Sequence, residues 1–444
     1  MKNFKLITIL FAFSVFLACS EDEPVIEYIT ITETVVETVV ETETVEVEVE
    51  VDPFEDSTLE GNITSDKTLD ASKIWLLKGR VSVVDGVTLT IPAGTIIKAA
   101  AGTGADASTL IIARGGRLIA DGTADAPIVM TSISDNIEVG GTYPSNGPSL
   151  NVDTRGLWGG LLILGNAPCS FSGDVTELQI EGIPTSDING LYGGTDATDD
   201  SGSVQYLSIR HGGAEIGEGN EINGLTLGGV GSGTTINHIE VLGNVDDGIE
   251  FFGGTVNATN LLVWGQGDDA IDIDQAYAGT IDGAMVILTS ASDHGFEIDG
   301  PEGSATGRFT LKNATVIGAT NNCSAEGVDG EMADFRKGAT GDVLNILFKD
   351  FSGGKDVELD ASADAATYTA GTLTFENIDI LHPIDLDGVV CSDVETLDLI
   401  FDDKSDESTF ESDASTFAEI VTSQQEGNGV DASIFSWTFY ANNN

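Results

Sequence analysis

Five short segments in the second half of the chain decide the fold, because each places an apolar residue directly before a carboxylate. In chain order they are Gly248-Ile249-Glu250, Ala270-Ile271-Asp272, Gly295-Phe296-Glu297, Gly327-Val328-Asp329 and Asp356-Val357-Glu358. Their carboxylates are 22 to 32 residues apart, which is the length of one coil of a β-solenoid with a variable loop. Stacked coils place the apolar residues in an internal ladder and the acids in an external one. The pattern predicts an all-β, single-stranded, right-handed parallel β-helix.

A second series of apolar strands runs in step with the first. Its members are Thr235-Ile236, Thr255-Val256, Thr280-Ile281, Phe309-Thr310-Leu311 and Asp342-Val343. The β-helix is predicted to cover residues 54–392. Residues 393–444 are expected to hold an acidic loop, a short helix and a cap strand that lays Phe435, Trp437 and Phe439 on the end rung.

Composition excludes two classes of protein. The 444 residues include 73 Asp and Glu but only 18 Lys and Arg, a formal charge of -55. A nucleic-acid-binding protein needs a basic surface, so this class is excluded. With 41% apolar residues, the chain is also too hydrophobic to be disordered throughout.

The N-terminus predicts the cellular location. Residues 1–18 have the basic start and short apolar core of a signal peptide, and Leu17-Ala18-Cys19 resembles a bacterial lipobox. The acidic residues after Cys19 are similar to the export signal of Bacteroidota surface lipoproteins. We therefore expect Cys19 to be lipidated and the protein to be anchored in the outer membrane, facing the exterior. The alternative is a plain cleaved signal peptide with a chance cysteine.

Residues 19–53 form a segment of Val, Thr and Glu in which apolar and acidic residues alternate. Such alternation is typical of an extended chain. We expect a stalk that holds the body away from the membrane. The alternative is a strand that pairs along the edge of the body or with another copy, so that residues 24–53 mediate self-association.

Three further cysteines, Cys169, Cys323 and Cys391, lie in an oxidising compartment if the signal peptide is real. An odd number allows at most one internal disulfide among them. We expect Cys323–Cys391, although spacing alone does not determine the pairing.

Aspartates directly upstream of the triplets predict a metal site. Asp246-Asp247, Asp268-Asp269 and Asp293-His294 fall at matching positions on three consecutive coils. Carboxylates about 5 Å apart repel by about 3 kcal/mol at an effective dielectric of 20, so they must bind protons or cations or turn into water. Oxygen ligands favour calcium. The predicted ligands are Asp246, Asp247, Asp268, Asp269, Asp272 and Asp293, and the alternative is a set of solvated acids.

Three further strings carry a family resemblance: Trp158-Gly-Gly-Leu-Leu-Ile-Leu-Gly165, Asn220-Glu-Ile-Asn-Gly-Leu-Thr-Leu-Gly-Gly229 and Phe252-Gly-Gly-Thr-Val-Asn257. They resemble those of Bacteroidota surface lipoproteins with a pectin-lyase-like β-helix. The resemblance implies the fold and leaves the activity open. From it we expect an adhesin-like, non-catalytic protein, stabilised by calcium, that binds a polysaccharide or another cell-surface ligand. Trp264 and Tyr277 are candidates for stacking on sugar rings, with packing as the alternative.

Two other functions remain as alternatives. The order of Asp246, Asp268, Asp269 and His294 is similar to the active-site series of polygalacturonase-type hydrolases, and Arg308 would then bind substrate. His294 follows Asp293 where that family has Gly, and Arg308 lacks a basic residue two positions later. The third possibility is a structural rod that assembles through its stalk.

Overall fold

A computed structural model of the protein describes residues 26–29, 47–50, 54–140, 150–215, 222–318, 330–351, 354–383 and 395–443. The chain divides into two compact units, Met1–Asp56 and Ser57–Asn444. In the second unit, strands pair in parallel with those of neighbouring coils. The predicted parallel β-helix is therefore confirmed.

In the first unit, Ile26–Ile29 pairs antiparallel with Val47–Glu50, and Ile29 lies opposite Val47. The backbone N–H and C=O groups of the two alternating segments therefore hydrogen-bond to each other. Because the two segments run antiparallel, they do not form the single extended stalk that we expected. The predicted lipidation site, Cys19, lies outside the described residues.

The β-helix has three stacked parallel sheets, which we name A, B and C. The last residues of the strands Thr58–Ile63 and Ile74–Val83 begin sheet A. The strands that lie wholly in sheet A are Thr109–Ile112, Leu161–Leu164, Leu225–Gly228, Ile249–Phe252, Ile271–Asp274, His294–Asp299, Glu331–Arg336, Val357–Leu359 and Phe401–Asp403.

Sheets B and C share seven long strands that bend in the middle: Gly202–Arg210, Thr235–Leu242, Asn257–Trp264, Thr280–Ile287, Phe309–Ile317, Gly341–Lys349 and Leu373–Leu381. The shorter strands of sheet B are Lys67–Thr68, Thr88–Thr90 and Arg117–Asp121. Those of sheet C are Ile96–Ala99, Ile128–Ser132 and Ala418–Val421, preceded by the first halves of Thr58–Ile63 and Ile74–Val83.

One residue with positive φ makes the bend in each long strand. In register these residues are Tyr206, His238, Asn260, Gly283, Asn313, Asn345 and Asn377, which we call the corner ladder. Left-handed backbone favours Gly and Asn, which explains why asparagine occupies most of the positions. Asn345 donates a hydrogen bond to Asn313 at 3.0 Å, and Asn377 donates one to Asn345 at 2.8 Å.

The core runs along the inside of the solenoid as apolar ladders. In sheet A, one such ladder consists of Leu225, Ile249, Ile271, Phe296, Ala333, Val357 and Phe401, all almost fully buried. Each coil covers the apolar edge of the previous one. Gly248 is needed at its coil contact, because a Cβ there would lie 2.3 Å from Val263 Cγ1.

Two predicted rungs are wrong. The strand in sheet B begins at Asn257-Ala258, and Ala258 pairs with Ile236, so Thr255-Val256 belongs to the preceding turn. Asp334 lies beside Glu297 in sheet A, in the place expected for Asp329, which lies outside the described residues. In both regions the alternation of polar and apolar residues fits either of two neighbouring positions. Only the stacking of the coils shows which position forms the rung.

Helices are few among the described residues. The α-helices are Ser362–Thr369, Leu397–Ile400, Phe410–Phe417 and Phe439–Asn443, and the 3-10 helices are Gly104–Asp106, Ser172–Asp174, Ile188–Gly190 and Ala432–Phe435. Among them, none combines the length and the hydrophobicity needed to span a bilayer. A small antiparallel hairpin of Leu178–Gln179 and Leu191–Tyr192 extends from a loop outside sheet A.

The predicted C-terminal cap strand does not form. Residues 424–443, which we call the tail, contain a 3-10 helix and a short α-helix and lie along the outer side of sheet C. Phe435 packs with Leu262 and Met285, far from the last coil. The helix Phe410–Phe417 covers Phe401 at the end of the solenoid instead. Outward-facing apolar residues of sheet C therefore attract the tail aromatics.

Candidate metal centre

A ladder of six carboxylates lies beside the apolar ladder of sheet A, one on each of six consecutive coils. Its members are Glu250, Asp272, Glu297, Asp334, Glu358 and Asp402. Period-two alternation in each strand turns these side chains outward while their neighbours point into the core. We call this set the acidic ladder.

The turns that precede the strands bring a second group of acids together. Asp247 Oδ1 accepts a hydrogen bond from the backbone N–H of Asp269 at 2.9 Å, and Asp269 Oδ1 accepts one from that of His294 at 2.7 Å. Each aspartate thus binds the equivalent residue of the next coil. Asn244 holds the first turn through a 2.8 Å hydrogen bond from Nδ2 to the carbonyl oxygen of Asp247.

Four overlapping sets of side chains each bring three ligand atoms within 4.8 Å of one another. The sets are Asp246/Asp247/Asp268, Asp268/Asp269/Asp293, Asp247/Glu250/Asp272 and Asp269/His294/Glu297. All six aspartates predicted as metal ligands therefore occur in this region. The sets also include Glu250 and Glu297, which the prediction of ligands omitted.

The set Asp247, Glu250 and Asp272 is the most deeply buried, with 6%, 5% and 8% of each residue exposed. Burial raises the pKa of all three carboxyl groups well above the usual range, and the neighbouring carboxylates raise it further. Among the described residues, none of the three forms an ion pair with a lysine or arginine.

Two polar atoms at this buried set have no hydrogen-bond partner among the described residues. They are Oδ1 of Asp272 and Oδ1 of Asn223, which is itself 1% exposed. The Nδ2 atom of Asn223 donates to Glu250, so the amide lies against the cluster. Buried oxygens without partners are costly, and a bound cation would satisfy both.

The pKa values of neighbouring, more exposed side chains are also raised. Burial, with help from Asp269 and Asp293, raises the pKa of Asp268 to about 6. Burial and the neighbouring Asp299 raise the pKa of Asp274 to about 7. Burial opposes protonation of His294, but the hydrogen bond to Asp269 and the surrounding carboxylates prevail and raise its pKa to about 9.

Basic side chains neutralise the carboxylates toward the C-terminal end of the acidic ladder. Arg336 pairs with Glu297 and, at 2.8 Å, with Asp299. Lys404 Nζ lies 2.9 Å from Glu358 and 2.6 Å from Asp402, and it also contacts Asp356 at 3.1 Å. Sequence patterns missed both cations, because each reaches the ladder only when separate coils stack.

Three predicted ligand-binding residues lie elsewhere. Arg308 pairs with Asp342 beside sheet B, so it cannot bind a substrate held at the aspartates. Tyr277 is 1% exposed and donates to the carbonyl oxygen of Val256, and Trp264 packs against Phe439 and Tyr440 of the tail. Burial contradicts the sugar-stacking prediction for Tyr277, whereas the contacts of Trp264 with the tail favour the packing alternative for that ring.

Cys169 has no disulfide partner among the described residues; its thiol is partly buried, and burial raises its pKa to about 12. A thiol with so high a pKa is a poor nucleophile and metal ligand. The expected Cys323–Cys391 disulfide lies outside the described residues.

Comparison with known proteins agrees with this architecture. The family model described as "Pectate-lyase like beta helix domain" matches residues 61–440. Searches of the curated proteins and of the solved structures gave no significant match. The matched residues include nearly all of the three sheets and every member of the acidic ladder. The chain therefore belongs to the family of pectate-lyase-like β-helix domains.

Proposed function

We propose that this protein is a non-catalytic, surface-anchored β-helix that binds calcium at sheet A and uses the loaded face to bind a glycan or another surface. The buried set of Asp247, Glu250 and Asp272 carries the proposal. Three carboxylates this close cannot all ionise at neutral pH without a cation. Among the described residues, no basic side chain supplies one to this set.

The spacing of the oxygens favours a single ion. Calcium binds oxygen at 2.3–2.6 Å, so two ligands of one ion are at most about 5 Å apart. The ligand atoms of each set lie within 4.8 Å of one another and meet this limit. Carboxylates and an amide are hard ligands, which favours calcium over zinc.

The more exposed sets, Asp246/Asp247/Asp268 and Asp268/Asp269/Asp293, provide the surface that would bind a partner. Asp268 is half-buried and 58% of the Asp293 side chain is exposed, so an ion held there would keep coordination positions open to solvent. Hydroxyl or carboxylate oxygens of a polysaccharide could fill these positions. A bound cation would also reduce the negative potential that otherwise repels acidic glycans.

The location of the protein is part of the same proposal. A lipid on Cys19 would anchor the chain in the outer membrane and present the β-helix to the exterior. Labelling with a palmitate analogue, compared between the wild-type protein and Cys19→Ala, tests the anchor. Protease shaving of intact cells tests the exposure, and a protein resistant to shaving would contradict it.

Calcium titration by calorimetry, followed by a glycan array in calcium or chelator, tests the binding function. The wild-type protein should bind calcium and retain glycans only in calcium. Asp268→Asn/Asp269→Asn should weaken both by at least tenfold. Asp342→Asn is the matched control, because it removes an acid from sheet B and should change neither. Glycan binding that persists in chelator would contradict the mechanism.

A hydrolase remains the second candidate because the pKa of Asp268, at about 6, suits a general acid. Asp269 and His294 are hydrogen-bonded beside it at 2.8 Å. Catalytic carboxylates of glycosidases are usually about 5–9.5 Å apart, farther than the ligand atoms within each set here. Reducing-sugar release that disappears in Asp268→Asn/Asp269→Asn would favour the enzyme.

A further inference from the structure

The corner ladder is interrupted at one position, away from the acidic face. Gly283 stands in the ladder with His238 and Asn260 on the two coils before it and Asn313 and Asn345 on the two coils after it. Its φ of 86° lies in the same left-handed region as that of its neighbours. The backbone therefore continues regularly, and only the side chain is missing.

The hydrogen bonds divert around this gap. Asn313 Nδ2 donates to Asp282 at 2.6 Å, where a regular ladder would give it an amide partner on the preceding coil. Asn260 Nδ2 donates to Asn237 of the preceding coil at 3.0 Å, so this amide nitrogen is directed away from the gap. A Cβ placed on Gly283 would lie 3.0 Å from Asn260 Oδ1, so this amide oxygen borders the gap.

The tail lies beside the gap and forms one wall of an open groove. Gly429 N–H donates to the carbonyl oxygen of Asn345 at 3.2 Å, and Val430 N–H donates to Thr315 Oγ1 at 3.0 Å. Between the tail and the ladder lies a volume of about 640 Å³. This volume falls within the usual range for small-ligand sites.

Amide groups dominate the polar lining of the groove. They belong to Asn260, Asn313, Gln424, Gln425 and Asn428. Amides both donate and accept hydrogen bonds, as sugar hydroxyls do. The carboxylates of the lining, including Asp282 and Asp431, disfavour an anion, and Asp282 already pairs with Lys312 at 3.1 Å.

We propose that this groove is a second binding site, which takes a neutral mono- or disaccharide whose hydroxyl groups occupy the gap in the corner ladder between Asn260 and Asn313. The site is independent of calcium, because none of its lining residues belongs to the clusters of sheet A.

Saturation-transfer NMR in chelator buffer tests the site with maltose, cellobiose and N,N′-diacetylchitobiose as probes. The wild-type protein should transfer saturation to at least one of them. Gly283→Asn should weaken that binding at least tenfold, because the new amide fills the gap. Asparagine is already the residue with positive φ on neighbouring coils, so the variant should fold.

Two further variants complete the experiment. Gln425→Trp changes only the exposed edge of the groove and should also weaken binding, which decides the question if Gly283→Asn does not fold. Asp268→Asn/Asp269→Asn should bind as the wild type does, whatever happens to calcium. The proposal is overturned if no probe receives saturation, or if Gly283→Asn and Gln425→Trp both bind normally.

Discussion

The two ends of the acidic ladder carry the same kind of side chain but differ in what neutralises the charge. Toward the C-terminus, Lys404 lies within 3.1 Å of three carboxylates, and these interactions raise its pKa against the effect of burial. Toward the N-terminus, Glu250 and Asp272 are flanked by further acids, and their own pKa values rise. One protein thus neutralises one end with a built-in ammonium group and leaves the other to protons or a bound ion.

The two ends of the acidic ladder also differ in solvent access. The Lys404 side chain is 39% exposed, so a long basic side chain can reach the carboxylates from solvent. Glu250 and Asp272 are almost fully buried, and Glu181 of the loop outside sheet A adds another negative charge near Glu250. A small diffusible cation fits where a lysine stem does not. The comparison favours the N-terminal end as the place for the proposed calcium site.

Calcium should have the largest effect on stability. At a thousandfold excess over Kd, an ion that binds only the folded state adds about 4 kcal/mol to the free energy of unfolding. Asp272→Asn should lose most of this gain, yet be about 2 kcal/mol more stable than the wild type in chelator, because it removes repulsion. Thermal unfolding with calcium and with chelator measures both changes.

Asp402→Asn is the matched control for that experiment, since it changes an acid of the same ladder that pairs with Lys404. It should keep the calcium response and be slightly less stable than the wild type in chelator. If Asp272→Asn and Asp402→Asn shift stability in the same direction, the two ends of the ladder are electrostatically alike and the comparison fails.

Removing the built-in cation should make the C-terminal end resemble the other end. Lys404→Met leaves Asp356, Glu358 and Asp402 without their ammonium partner, and we expect a loss of about 2 kcal/mol at pH 7. Calcium should restore part of this loss, which denaturant unfolding measures. Lys78→Met removes an exposed pair with Glu60 and should cost less than about 0.5 kcal/mol. A Lys404→Met protein indifferent to calcium would show that three clustered acids are insufficient.

Stability should also depend on pH. Unfolded carboxyl groups titrate near 4, whereas Asp268 and Asp274 have pKa values of about 6 and about 7 in the folded protein. Between these values the folded state holds more protons, so stability falls as pH rises. His294, with a pKa of about 9, acts in the same direction between about pH 6.5 and 9.

In chelator we therefore expect the free energy of unfolding to be lower at pH 8 than at pH 5, by about 1.4 kcal/mol for each pH unit over which one of these groups keeps a proton that it has lost in the unfolded chain. Calcium should reduce the difference, since it replaces the protons, and Asp274→Asn should reduce it in chelator. Urea unfolding at both pH values provides the measurement. Equal or greater stability at pH 8 in chelator would mean that the buried carboxylates are already neutralised.

Particular residues show how far sequence reasoning reached. The spacing of Glu250, Asp272 and Glu297 predicted the coil and the face on which the acids lie, because side-chain alternation is a local property. It failed at Asp334, where a longer loop shifted the rung. Sequence reasoning also could not show what packs on Trp264, because the tail that contacts this ring comes from more than 170 residues later in the chain.

Arg336, Lys404 and Asn223 could not be found from spacing. Arg336 reaches Glu297 and Asp299 of the preceding coil, and Lys404 joins carboxylates of two coils. Asn223 touches Glu250 only because the coil that carries it lies directly before that rung. None of these contacts leaves a periodic signal in the sequence.

The repeat length, the alternation within each strand and the excess of acids were enough to determine a β-helix with a negatively charged ladder. Those features depend on covalent geometry and on neighbours within a few residues. Which carboxylates are buried, which have an internal cation and where the tail packs were decided only by the tertiary structure. Burial and ion pairing depend on distances between separate coils and loops, and the lengths of the intervening loops are not periodic.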